Sequence, residues 1–160
     1  MGILRQRYGV VALALLALGG LGSAAALAQT ANFAPITLSS GQPTATVSGT
    51  TAGIFSVGNL AMRDQRGTIC VGFADASPSH ILTLQDPMAQ ITLQVNSGGS
   101  DTTLLLQGPT DSLIRCGEDS GRRNLDDRIQ AQNLPAGTYR IWVGSHDQGQ
   151  RINYSLTVGP

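Results

Sequence analysis

The residues with the most chemistry to offer lie between Asp101 and Asp147. Asp101, Glu118, Asp119, Asp126 and Asp127, with the amide of Asn124, are a set of hard oxygens. Calcium takes about six to eight such ligands, often from one loop. The spacing here is not that of an EF-hand loop, and Arg122, Arg123 and Arg128 stand among the acids. Three guanidiniums repel a cation unless they turn away. The alternatives are a solvated polar loop whose charges cancel and a protein-recognition loop. Asp101 precedes an apolar run, where an aspartate accepts backbone hydrogen bonds in an Asx-type turn. It serves calcium only if the fold sets it beside the charged segment.

Ser145, His146 and Asp147 are the residue types of a hydrolase triad. Three consecutive side chains cannot point at one another, and a triad requires the histidine bonded to both partners. There is no G-x-S-x-G elbow. His80 reads as a half-buried histidine satisfied by a backbone group. No catalytic residues are assigned, and the chain is not expected to be an enzyme. Cys70 and Cys116 are the two cysteines. In an exported chain an even pair reads as a disulfide. A zinc site with His80 and His146 is the competing reading, but metal ligands usually come in close pairs and these four are far apart. Trp142 is the single tryptophan. If Tyr139, Ile141 and Val143 face a core, Trp142 and Arg140 face outward or lie under a loop. An exposed tryptophan stacks on a sugar ring or anchors a protein partner. The binding candidates are therefore Trp142, Arg140 and His146.

These groups must be held by strands, because the apolar period is two almost throughout. Ile91, Leu93 and Val95 alternate with Thr92, Gln94 and Asn96; Ile152, Tyr154, Leu156 and Val158 alternate with Asn153, Ser155 and Thr157. His80, Leu82 and Leu84 share a face, and Phe55, Val57, Leu60 and Met62 are expected to point to a core. The run Leu104-Leu105-Leu106 reads as a central strand. Residues 126–133 permit either one helical turn or a strand. Turn signals recur roughly every ten residues, as in an antiparallel sandwich or barrel. An all-β fold is expected.

The beginning of the chain sets the compartment. Arg5 and Arg7 precede an apolar run from Val10 that ends in Gly, Ser and Ala. A spanning helix needs roughly 20 apolar residues. Ala26 and Ala28 fit a cleavage site, so residues 1–28 read as a signal peptide. Residues 29–42 read as a polar N-terminal extension whose segment "PITL" would add an edge strand, and residues 43–160 as one domain. Lys+Arg and Asp+Glu are both 10, every basic residue is arginine, and charged residues make up 12%. No clustered basic face suits nucleic acid. The mature chain is expected to have no membrane span, to be exported to the periplasm or beyond, and to carry no cofactor unless calcium.

Asp101-Thr102-Thr103-Leu104, the turn Cys116-Gly117-Glu118-Asp119-Ser120-Gly121, the strand start Gly137-Thr138-Tyr139 leading to Trp142-Val143-Gly144, and the final Tyr154–Val158 together carry a resemblance. The segments "SPSHILTLQD" and "ITLQVNSGGSD" occupy the places of preceding paired strands. From about Gly67 to Val158 the chain resembles the bacterial pre-peptidase C-terminal domain. That resemblance implies a jelly-roll-like antiparallel β-sandwich, usually appended to secreted enzymes and not itself catalytic. Relatives are associated with substrate or matrix binding, and some bind calcium. The function expected is a non-catalytic exported module. It would recognise a polysaccharide, an envelope component or a protein through its outer β face and loops, with a structural or stress-related envelope protein holding calcium as the alternative and a hydrolase or hydrolase inhibitor as the third reading.

Overall fold

A computed structural model describes residues 30–160. The expected signal helix lies outside the described residues. Among the described residues no helix is long and apolar enough to cross a membrane.

Among the described residues twelve strands run in chain order: β1 Ile36–Leu38, β2 Ala45–Thr50, β3 Phe55–Ser56, β4 Phe73–Ala74, β5 His80–Leu84, β6 Met88–Asn96, β7 Thr102–Gln107, β8 Ile114–Cys116, β9 Glu118–Gly121, β10 Asn124–Leu134, β11 Gly137–Ser145 and β12 Asn153–Gly159. A 3-10 turn covers Val57–Asn59. The residues that permitted a helical turn are strand β10.

Two sheets stack as a sandwich. One has the order β2-β12-β6-β10-β9 and is antiparallel throughout. The other is centred on β11. One edge of β11 carries β5 and then β4, and the other carries β7, which pairs in turn with β8. The antiparallel expectation needs one correction. β1 pairs parallel to β5, with Ile36 opposite Leu82 and Leu38 opposite Leu84. This is the edge strand of "PITL". It is parallel because it reaches β5 through a long connection and not a hairpin, and both its apolar side chains are buried.

The alternation fills the space between the sheets. Leu82, Leu84, Leu104, Leu106, Tyr139, Ile141 and Val143 meet Ile91, Leu93, Val95, Ile129, Leu134, Leu156 and Val158 in one cluster. Burying each such side chain stabilises the fold by about 1.5–3 kcal/mol before entropy is subtracted. A second cluster lies on the other face of the β11 sheet: Val57, Cys70, Ala74, Leu105, Cys116 and Trp142, with Leu60, Ala61 and Ile114 packed against it. The excursion over residues 57–72 covers that face and forms a third layer. The Cys70–Cys116 disulfide clips it down, with a Cα–Cα distance of 5.4 Å. Val57 and Leu60 pack as expected. Met62 does not: it is 78% exposed, because the excursion lies on the sheet with one side only.

Candidate functional site

The charged segment folds as a hairpin, not a loop. β9 and β10 pair, with Arg122 and Arg123 at the exposed turn. The register slips between Asn124 and Asp127. Such a bulge breaks strict alternation and re-aims side chains. Here it lets consecutive residues Asp126 and Asp127 both be buried.

Asp126 turns into the β6–β7 turn. Its Oδ1 accepts from the Ser97 amide at 2.9 Å and from the Ser97 hydroxyl, and its Oδ2 accepts from the Gly99 amide at 3.0 Å. These are long-range bonds that tie β10 to the β6–β7 turn. The Asp101 carbonyl accepts from the His146 amide at 3.0 Å. Asn124 Oδ1 faces the Asp126 amide at 3.3 Å. The side chain of Glu118 lies outside the described set; its backbone pairs with Arg128.

Asp101, Asp119, Asp127 and His146 do come together. They line one cleft of about 570 Å³ with Thr68, Ile69, Val71, Thr102, Thr103 and Gly117. Each acid arrives on a different element: Asp101 leads into β7, Asp119 is on β9, and Asp127 is on the β10 bulge. His146 follows β11. The backbone fixes this meeting. The Asp127 amide donates to the Thr102 hydroxyl at 2.9 Å, and the Gly117 amide donates to the Leu104 carbonyl at 2.7 Å. A Cβ on Gly117 would lie 2.5 Å from Asp127 Oδ2 and 2.9 Å from Leu104 Cβ, so only glycine lets β8 pass here.

The rim is apolar and comes from the excursion. Ile69 and Val71 are 55% and 54% exposed. They flank Cys70, whose sulfur points inward, so alternation sends both outward. The Thr103 hydroxyl holds the segment by donating to the Val71 carbonyl at 2.6 Å. Asp64, buried in the loop before it, accepts from the Arg66 and Thr68 amides at 2.8 and 2.9 Å and pairs with Arg66 Nε at 3.1 Å. Burial opposes the charge on Asp64, and these hydrogen bonds to Arg66 and Thr68 overcome it, so its pKa lies below the ordinary value. Neither the rim nor Asp64 belongs to the residues that the sequence singles out by type and spacing. The signal was present in "TICVGF", where an inward cysteine implies outward neighbours.

Other candidates fall elsewhere. Trp142 is 3% exposed and packs in the second cluster, its indole nitrogen 3.4 Å from the Ala76 carbonyl. It faces away from the main core, as the alternation requires, but the excursion covers it, and it offers no stacking platform. Arg140 pairs with Asp111, its guanidinium carbon 6.0 Å from the Trp142 ring centroid. The Ser145 hydroxyl donates to the Asp147 carbonyl at 2.7 Å, not to His146. Among the described residues no group of three or more His, Cys, Asp or Glu side chains stands together as a metal site.

His80 is fully buried. Its Nδ1 lies 2.8 Å from the Ala34 carbonyl, so that nitrogen carries the proton and donates. The Tyr154 hydroxyl then donates to Nε2, at 2.9 Å. Phe33 closes a triangle of rings at 5.7 and 6.3 Å from His80 and Tyr154. Burial holds the His80 pKa below the ordinary value.

No protein-family profile matches the chain, and no curated protein does. Among solved structures it resembles in fold the pre-peptidase C-terminal domain of collagenase from Bacillus anthracis. Identity is 16%, with 78% of this chain and 93% of that one covered and a TM-score of 0.47. It is also similar to PliG, a periplasmic inhibitor of g-type lysozyme from Aeromonas hydrophila. Here identity is 16%, coverage 78% and 96%, and the TM-score 0.45. CorA, a surface-associated copper-binding protein of Methylomicrobium album BG8, aligns at 5% identity, with 81% and 99% covered and a TM-score of 0.39. These are likenesses of fold alone.

Proposed function

We propose that this domain is a non-catalytic, exported binding module. It takes a basic, partly apolar segment of a secreted or cell-envelope protein into the cleft of Asp101, Asp119, Asp127 and His146. The observation that carries this reading is the composition of the cleft. Three carboxylates from three elements line it, no arginine does, and Ile69 and Val71 stand exposed at its rim. An incoming arginine would lay its stem on Ile69 and Val71 and reach the carboxylates with its fork. The burial of Trp142 weighs against a glycan-stacking face. The hydrogen bond of Ser145 to a backbone carbonyl weighs against hydrolysis. Export is supported by the n-region and small-residue site in the sequence and by the disulfide, which belongs to oxidising compartments.

Calorimetry would test the reading with an arginine-rich amphipathic peptide and a neutral chitin oligosaccharide, with and without calcium. The peptide is expected to bind and the oligosaccharide not. The double substitution Asp101→Asn, Asp119→Asn is expected to weaken the peptide about tenfold at low salt, since each exposed ion pair contributes up to about 1 kcal/mol. Oligosaccharide binding that survives this substitution would overturn the proposal.

A further inference from the structure

A second surface differs from the cleft in charge and in architecture. β10 pairs with β6 along most of its length. On its other side β9 accompanies it only from Asn124 to Arg128. Among the described residues no strand runs beside Ile129–Leu134 on that side. In an antiparallel sheet alternate residues direct N–H and C=O away from the paired neighbour. This stretch is therefore an open edge, the kind of template on which another chain adds a strand.

A groove of about 470 Å³ follows the open edge, lined by Gln90, Gln130, Ala131 and Gln132 and, from across it, by Arg66 and Arg115. Arg115 is held by uncharged partners, its Nη1 donating to the Ile114 carbonyl at 2.8 Å and to the Gln65 side-chain oxygen. Arg128 is exposed at the end of the groove, where it lines a smaller hollow with Arg66, Asp119 and Gln130. Among the described residues neither Arg115 nor Arg128 makes an ion pair. Asn133, with φ 53°, turns the backbone into the left-handed region and ends the straight run of the edge.

We propose that this groove is a second binding site, which takes a short, extended, acidic segment of another protein as an added strand beside Ile129–Gln132. The partner's backbone pairs with the open edge. Its carboxylates, on every second residue, reach Arg115 and Arg128, and the glutamines of β10 and β6 meet its polar groups. The site shares no lining residue with the cleft except through Asp119 in the hollow between them, so either site can exist without the other.

Fluorescence anisotropy with a labelled peptide of alternating valine and glutamate tests the proposal. Two competitors accompany it: the same peptide N-methylated along one edge, and polygalacturonate as an anionic polysaccharide. The acidic peptide should bind at low salt and protect the edge-facing amides of the Ile129–Gln132 stretch from hydrogen exchange. Arg115→Gln should weaken it about fivefold, the scale of one exposed ion pair, and Arg115→Lys should lose less. The N-methylated peptide should not compete. Three results would overturn the proposal. The N-methylated peptide competing equally would rule out strand addition. Polygalacturonate binding more tightly would make the groove a glycan site. If neither ligand binds to a domain that melts normally, the arginines only guard the edge against aggregation. The cleft is tested with other ligands and substitutions, so a failure here is separable from a failure there.

Discussion

The double substitution Cys70→Ala, Cys116→Ala separates the sandwich from its third layer. The disulfide closes a separation of 46 residues, which in the chain-entropy model stabilises the fold by about 4 kcal/mol. The two sulfurs also sit in the cluster with Trp142, Leu105 and Val57, so their removal leaves a small void and adds to the loss. For a domain of this size the loss amounts to a fall of about 15 °C in Tm. It should not be uniform. The main core between the sheets does not contain either cysteine, whereas the excursion is otherwise fixed by the short β3–β4 pair, the Val57 amide on the Gly72 carbonyl at 3.0 Å, the Thr103 hydroxyl, and the bonds of Gln65 to Ser112 and Arg115 and of Arg66 to the Cys116 carbonyl. Hydrogen exchange should therefore accelerate first over residues 61–72. Binding of the basic peptide should weaken at a temperature where the sheets are still folded, because Ile69 and Val71 lose their place. The measurements are calorimetric melting, exchange mass spectrometry and peptide titration on the same two proteins. A variant that melts within about 1 °C of the parent, with unchanged exchange over 61–72, would refute the claim that the clip holds the third layer and the rim.

Two further predictions concern buried polar groups. His80 is neutral in the fold, with both ring nitrogens engaged and its pKa depressed by burial. The unfolded chain takes up a proton as pH falls through about 6.5 while the folded chain resists it. Stability is thus full above that pH and declines below it, by at most about 1.4 kcal/mol per pH unit. Urea melts between about pH 7.5 and pH 5 should show this slope, and His80→Gln should flatten it; an unchanged slope would acquit His80. Asp126→Ala should cost about 1–3 kcal/mol, because it strips acceptors from the partly buried amides of Ser97 and Gly99. Since both Asp126 oxygens are already engaged, millimolar calcium should leave the Tm of the parent where it is; a rise of several degrees that Asp126→Asn abolishes would return that carboxylate to a metal.

The strands were legible because a half-buried ladder writes itself as a period of two. Ile91, Leu93 and Val95 face inward as their spacing requires, and so do Tyr139, Ile141 and Val143. The same period assigned Trp142 to the opposite face correctly. It could not say what covers that face, because alternation records which side of a sheet a residue occupies and nothing about the next layer. The apolar triplet Leu104–Leu106 carried the missing hint, since a strand buried on both faces has no reason to alternate. The parallel β1–β5 pair was hidden for a related reason: "PITL" shows an edge strand but not its neighbour, which lies more than forty residues away. At the site, the acids were legible as a set and not as individuals. Asp126 and Asp127 look interchangeable in the sequence, and only the bulge sends one to a turn and the other to the cleft.

The cleft and the clip are one construction. In "TICVGF" the inward turn of Cys70 is what forces Ile69 and Val71 into water, and exposing two such side chains carries a cost that a purely structural excursion would avoid. The fold could have covered Trp142 and Leu105 with a segment polar on its outer side, as β6 and β12 are polar on theirs. It places branched apolar residues there instead, beside three carboxylates delivered by β7, β9 and β10. A Val71→Thr, Ile69→Thr variant keeps the inward face intact and removes only the outward one. If the rim exists for the layer beneath it, that variant is destabilised. If it exists for a partner, the variant melts as the parent does and loses the basic peptide, which is the result expected here.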